Sequence, residues 1–312
     1  MTKGTVLLLL FLLLLAAFIL IYLGFGRTSK KRNGAEGSSA EDILAKLDSP
    51  GRLEGFLRKT HAALWVTVLG EVLEKVSPEK WDEIGGLVKK LELERELLSL
   101  LSHESEEVRA AAADVLGEIN LPGAVEPLVG CLGDKNEGVQ LSAAAALKKI
   151  RDPKAVKPLI EILKHPQRWV PARAAEVLIA FGEEASDALL MEWPSLGDKA
   201  GLAAEILGEI GDQRAVPKLI ELYSTSKDSR QRAAAVEALG KIRGEDMDII
   251  SFCERVLSDK SWEVRIRAVE ILRSSRGRRA AALLEKFIKD EEWKVRAAAE
   301  SALREIAAAQ EE

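Results

Sequence analysis

The chain is short of the side chains that most chemistry needs. Only 5% of its 312 residues are aromatic, and three are histidines, His61, His103 and His165. None stands in an HExxH segment or in a Ser-His-Asp context, and neither a glycine-rich phosphate loop nor a metal-spaced cluster appears. No catalytic residue, cofactor or metal is therefore expected. The two cysteines, Cys131 and Cys253, each lie in an apolar helical stretch, away from any CxxC. That excludes a disulfide framework and reads as two buried free thiols. Excess base is missing too: Lys and Arg total 45 against 50 Asp and Glu. Lys3, Arg27, Lys30, Lys31 and Arg32 all precede Asn33, where no acid occurs, so the remainder carries forty bases against fifty acids. A body this acidic excludes a general nucleic-acid binder, which needs a basic surface.

What is present is aliphatic. The 47% hydrophobic content contains runs of alanine, and 30% of the residues are charged. An Ala/Leu/Glu-rich, balanced composition suits a mostly helical protein with solvated faces.

The longest apolar run, Val6 to Leu23, has 18 residues and no charge. As a helix it rises about 27 Å, close to the hydrocarbon thickness of a bilayer. It is longer than the apolar core of a usual signal peptide, and Leu23-Gly24-Phe25-Gly26 is a poor cleavage site. The expectation is a short tail at 1–4 and a single transmembrane helix at 5–25. Lys3 stands before the run, while Arg27, Lys30, Lys31 and Arg32 follow it. Positive charge stays cytoplasmic, so the large C-terminal part is expected in the cytoplasm. The same four bases could touch anionic headgroups, at about 1 kcal/mol each. Residues 26–38 (GRTSKKRNGAEGS) are polar and Gly/Ser-rich and read as a flexible tether.

From Ser102 onward the sequence repeats itself. Aligning on one leucine gives Leu116, Leu147, Leu178, Leu207, Leu239, Leu272 and Leu303, with spacings of 31, 31, 29, 32, 33 and 31. Self-similarity at this period marks a solenoid. In the first copy Val108, Ala111, Ala112, Val115, Leu116 and Ile119 form one stripe at helical period, and Val295, Ala298, Ala299, Ala302, Leu303 and Ile306 repeat it in the last. The alanines let successive helices approach closely, and the larger residues fill the gaps. A second helix follows in most copies: AVEPLVGCL from Ala124, AVKPLIEIL from Ala155 and AVPKLIEL from Ala215. Asp152-Pro153 and Gly211-Asp212 supply the turns, since Asp accepts free N–H groups and Pro fits a first turn. Each repeat is thus a helix–turn–helix that must stack on neighbours to bury its stripe.

This pattern resembles the HEAT-repeat family, in particular a short-repeat subset named after phycobilin lyases. The stretches that carry the likeness are DKSWEVRIRAVEIL from Asp259, DEEWKVRAAAESAL from Asp290 and ALGKIRGED from Ala238. The resemblance covers Ser102 to about Ile306. It implies an all-α, right-handed solenoid of helix pairs over 102–312, about seven copies with the last lacking a second helix. For function it implies either a protein-interaction scaffold or a bilin lyase-like enzyme or subunit. A related enzyme family with this repeat, deoxyhypusine hydroxylase, holds two irons through several His-Glu pairs; here His103-Glu104 is the single pair, and it reads as a surface turn. The family's arginine stands at Arg109, Arg232, Arg265 and Arg296, and the resemblance implies a structural contact with an acid such as Asp259 or Asp290. Gln140, Pro171 and Ala200 replace it elsewhere, and Arg173 sits where the stripe calls for a small residue. Copies three and four, about Pro166 to Ser224, are degenerate.

Upstream, residues 39–101 are helical but off-pattern. Ser39-Ala40-Glu41-Asp42 looks like a capping box, Ser77-Pro78 starts another helix, and Leu69-Gly70-Glu71 faintly echoes the repeat. The segment reads as a degenerate repeat that covers the open end of the array.

Second helices usually line the concave side of such arrays, so Glu126, Lys157, Glu161, Lys218 and Glu221 are candidate contacts for a protein partner, or else a solvated face. Trp262 and Trp293, 31 apart at equivalent helix starts, either pack over those starts or anchor a partner.

Overall fold

The computed structural model describes residues 50–59, 61–71, 76–165, 170–242, 248–275 and 277–311. Val6–Leu23, the basic group Arg27, Lys30, Lys31 and Arg32, the tether at 26–38 and the capping signal at Ser39 lie outside them. No described helix is long and apolar enough to cross a membrane. The chain divides into two units at Lys59 and Thr60. The first contributes one described helix, α1 (Pro50–Lys59).

Among its described residues the second unit consists of helices and the turns that join them, with no strand. It begins with α2 (Ala62–Glu71), α3 (Pro78–Lys90) and α4 (Glu94–Ser99). Ser77 caps α3 by accepting from the Lys80 N–H at 3.4 Å, with Pro78 in the first turn, as the sequence predicts. Six helix pairs follow: α5 (Glu106–Glu118) with α6 (Val125–Cys131), α7 (Glu137–Ile150) with α8 (Val156–Lys164), α9 (Val170–Phe181) with α10 (Glu183–Glu192), α11 (Ala200–Ile210) with α12 (Val216–Thr225), α13 (Ser229–Ile242) with α14 (Ile249–Val256), and α15 (Trp262–Ser275) with α16 (Arg278–Phe287). The last described helix is α17 (Trp293–Glu311).

The turns inside pairs form as their residues dictate. Asp152 accepts from the Lys154 N–H and Asp212 from the Arg214 N–H, both at 2.9 Å, and Gly211 closes α11 at φ +80°. Ser105 and Asn136 cap α5 and α7 by accepting from Val108 and Val139. The degenerate third and fourth copies still form complete pairs. Their cores, Val177, Leu178 and Phe181 on α9 with Ala185 and Leu189 on α10, and Ala203, Ile206 and Leu207 on α11 with Leu219 on α12, are closed to solvent. Arg173 does not enter that core: it pairs with Glu137 at 3.0 Å and Glu176 at 3.3 Å.

Successive first helices pack on one another. The approach is so close that a Cβ on Gly117 would lie 2.7 Å from Ala146 Cα, and one on Gly208 the same distance from Ala238 Cα. Burial is consequently wider than a single stripe, because each inner helix is covered on two sides: Ala113 and Gly117 on α5 are buried along with Ala112 and Leu116. At α17 the stripe is incompletely covered. Val295, Ala299, Ala302 and Ile306 are buried, while Ala298 and Leu303 are half-buried. Upstream, α2 lies on α5 in the same manner, with Leu69 buried and Gly70 facing Ala111.

Candidate functional site

Charged side chains here do two different jobs, and their geometry separates them. At the N-terminal ends of the first helices, arginine bridges one repeat to the next. Arg109 holds Asp134 with two parallel bonds, Nε to Oδ2 at 2.7 Å and Nη2 to Oδ1 at 2.8 Å. Arg232 holds Asp259 at 2.8 and 2.9 Å, and Arg265 holds Asp290 at 2.7 and 2.8 Å. The planar fork of guanidinium suits this two-pronged grip, which a lysine could not make. Each aspartate also accepts from a backbone N–H two residues on, at Asn136, Ser261 and Glu292. The remaining Nη1 turns back onto carbonyl oxygens: His103 and Glu104 for Arg109, Asp259 for Arg265, Asp290 and Glu291 for Arg296. His103-Glu104 is thus part of Arg109's cradle. Where the arginine is missing, Gln140 supplies half of its work, donating to the Asp134 carbonyl at 2.6 Å.

The carboxyls respond to this setting. The Arg109 bond holds Asp134 below the usual carboxylate range. At Asp259 and Asp290 burial pushes upward, and the arginine with the backbone donor outweighs it, so both are also lowered. At the other end of the first helices Glu118 pairs with Lys149, and Glu209 with Lys241 at 2.8 Å. The arginine bridges are therefore closed to other partners, while the lysine pairs at the far end remain partly open to solvent.

The second helices differ. Glu126 on α6, Lys157 and Glu161 on α8, and Glu221 on α12 are exposed, and Lys218 is half-exposed. Lys218 and Glu221 pair with each other at 2.9 Å, and Lys164 joins Glu161 to Glu192 of α10 at 3.0 and 2.7 Å. The five residues lie on three second helices, and α10 carries none of them. The tryptophans stand apart from this set. Trp262 lines a groove of about 550 Å³ on α11, α13 and α15, beside Glu205, Glu237 and Arg267. The Lys294 ammonium lies 4.4 Å from the centre of its ring. Trp293, one repeat on, is 62% exposed. Among the described residues no three His, Cys, Asp or Glu side chains converge as a metal ion would require.

The family model for HEAT repeats matches residues 94–193, 197–249 and 245–304, well over half of the chain. This chain belongs to the HEAT-repeat family. The chain is similar to three engineered proteins whose crystal structures come from the Northeast Structural Genomics Consortium. The first is 21% identical, covers 86% of this chain and 81% of its own, and superposes with a TM-score of 0.41. The second is 23% identical over 68% of this chain and 96% of its own, at a TM-score of 0.29. The third is 24% identical over 68% and 98%, at 0.28. No curated protein matches the chain.

One surface of the HEAT array escaped the sequence reading. Where α12 and α14 end, a depression of about 790 Å³ opens between two repeats, with Tyr223, Lys227, Arg255 and Lys260 on its walls. The available signal was the lysine that follows the bridging aspartate in Asp134-Lys135 and again in Asp259-Lys260. Helical period marks buried positions, and these lysines are exposed.

Proposed function

We propose that the protein is a scaffold that presents a HEAT-repeat surface to protein partners while held at a membrane by Val6–Leu23. The observation that carries the first half is the division of charge. The Arg109–Asp134, Arg232–Asp259 and Arg265–Asp290 pairs are largely closed to solvent, whereas Glu126 and Lys157 stand exposed with no ion pair among the described residues, and Glu161 and Glu221 are exposed in pairs with Lys164 and Lys218, on helices whose other side is core. Mixed signs on such a surface favour a protein over nucleic acid. The reading of residues 39–101 as a cover for the open end is supported by α2, which lies on α5 as each first helix lies on the next. The right-handed turn of the stack is implied by the family. The membrane half rests on sequence: an uncharged run of 18 residues followed by four bases in six positions, which by the positive-inside rule leaves the repeats cytoplasmic.

Crosslinking in native membranes, with mass-spectrometric identification, tests the scaffold. Proteins captured on the repeats reproducibly and in stoichiometric amounts are expected; none captured would refute it. Alkaline carbonate extraction tests the anchor, and release into the soluble fraction would refute that. A visible chromophore carried by the purified protein would favour the lyase-like alternative.

A further inference from the structure

We propose that the depression between α12 and α14 is a docking pocket for an acidic peptide segment, carried by a partner of the scaffold. The inference rests on the scaffold reading and gives one of its surfaces a defined ligand chemistry.

Three exposed cations, Lys227, Arg255 and Lys260, line the pocket, and none pairs with an acid among the described residues. The bridging arginines on either side, Arg232 and Arg265, are matched by Asp259 and Asp290, so the three cations give the pocket its net positive charge. The acid on the pocket floor, Asp259, is already taken by Arg232 and by the Ser261 N–H, so it does not neutralise the three. Part of their placement follows from local structure, since cations are favoured where helices end. Their convergence follows from the stacking, which sets the ends of two successive second helices side by side.

The pocket is also built for more than charge. Phe252 forms a rigid base: Tyr223 packs edge-on against it, with ring centres 5.3 Å apart, and the Arg255 guanidinium lies 5.4 Å from the same ring. Stacking restrains Arg255 while leaving its donors free. Half-buried Tyr223 stays a neutral donor, because burial and the nearby Asp259 charge push its hydroxyl's pKa up. The Tyr223 and Ser258 hydroxyls have no protein partner among the described residues. Separated cations interleaved with hydroxyl donors match successive carboxylates along an extended chain, and about 790 Å³ accommodates several residues. A membrane surface is a poorer match: a flat bilayer face cannot follow the walls of a depression between two helix ends, whereas a single extended acidic segment can lie within it.

The test uses the full-length chain and fluorescein-labelled hexaglutamate, read by anisotropy at low salt. The pocket variant Lys227→Ser/Arg255→Gln/Lys260→Ser is compared with a control, Lys89→Ser/Lys135→Ser/Lys154→Ser, which removes the same charge from exposed positions elsewhere. Binding to the pocket variant is expected to weaken roughly tenfold or more, with the control within about twofold of wild type. All six side chains are exposed, so circular dichroism should be unchanged. Equal losses in both variants, or wild-type binding no tighter than to a Gly-Ser peptide, would overturn the proposal. So would inorganic phosphate competing as well as unlabelled hexaglutamate, or pocket-dependent sedimentation with phosphatidylserine vesicles in place of peptide binding. Crosslinking separates the two levels. Partners that persist unchanged on the pocket variant sink the pocket and leave the scaffold standing; no partners on wild type sinks the scaffold, and the peptide titration still judges the pocket.

Discussion

Arg265 and Asp290, 25 residues apart, close a two-pronged ion pair across a repeat boundary with only 5% and 4% of their side chains exposed. Breaking it should cost more than its strength suggests, because a buried carboxylate would lose its cation and keep only the Glu292 N–H. Arg265→Ala is expected to destabilise by about 3 kcal/mol. Arg296→Ala is the matched comparison. Its guanidinium donates to the Asp290 and Glu291 carbonyls and meets no carboxylate among the described residues, so about 1 kcal/mol is expected. Urea unfolding of the two variants measures the difference, and equal losses would contradict the bridging role.

The same pairs predict how stability depends on acidity. Asp134, Asp259 and Asp290 are held below the usual carboxylate range, and Asp212 is held at about 2, chiefly by Arg214. A carboxyl whose folded pKa is depressed contributes stability that is present above its unfolded pKa, about 3.9, and lost as pH falls through the folded value. The melting temperature should therefore be nearly flat from neutral pH to about 5 and decline steadily below about 4. A decline that begins between pH 7 and 5 would point to other groups, since none of these four titrates there.

Much of this fold is legible in the sequence, and what is not has physical causes. Leu116, Leu147, Leu178, Leu207, Leu239 and Leu272 are all buried, as the period requires. Leu303 is only half-buried, because the coverage that inner first helices receive on two sides is incomplete at α17. The degenerate copies looked weak because Pro171 and Ala200 replace the bridging arginine; yet helix pairing depends on apolar burial, which Leu178, Phe181 and Leu207 retain. The pocket at Tyr223 was invisible for a different reason. Its residues come from the ends of two helices about thirty positions apart, and neither end has a pattern of its own. Exposure of Glu126 or Glu161 was readable as a face, but nothing in a sequence shows that Lys164 also ties α8 to α10 through Glu192.

Glycine is used here for close approach, which makes its substitution direction-dependent. Gly117→Ala would set a methyl group 2.7 Å from Ala146 Cα, so α5 and α7 must move apart. Overpacking of this kind costs about 1–3 kcal/mol. Gly86 lies within α3, exposed, with open space around its would-be Cβ. There alanine should stabilise by roughly 0.5–1 kcal/mol, since glycine loses more freedom on entering a helix. Thermal melts of the two variants should shift in opposite directions; a Gly117→Ala protein as stable as wild type would show that the helices are not in contact.

The thiols provide a check on packing that needs no mutation. Cys131 and Cys253 are both buried, and Cys131 Sγ points at the Leu101 carbonyl at 3.9 Å. Burial pushes the Cys131 thiol up to about 11 and the Cys253 thiol to about 12. Thiolate is the reactive form, so at a pH below both values each unit of increase removes about tenfold of the nucleophile. Against an ordinary thiol value of 9.0, the pKa alone makes alkylation by iodoacetamide at pH 7.5 about 100-fold slower at Cys131 than at a free cysteine, and about 1000-fold slower at Cys253, before any steric exclusion. Both should react at the free rate once the chain is unfolded in urea. The ratio also reports local opening, because a thiol reached through transient separation of a helix pair reacts at a rate set by how often the pair opens. Mass-spectrometric counting of labelled cysteines against time measures both rates. Fast labelling of Cys253 in the native protein would mean that α14 is not packed as described, and would remove the base on which Tyr223 and Arg255 sit.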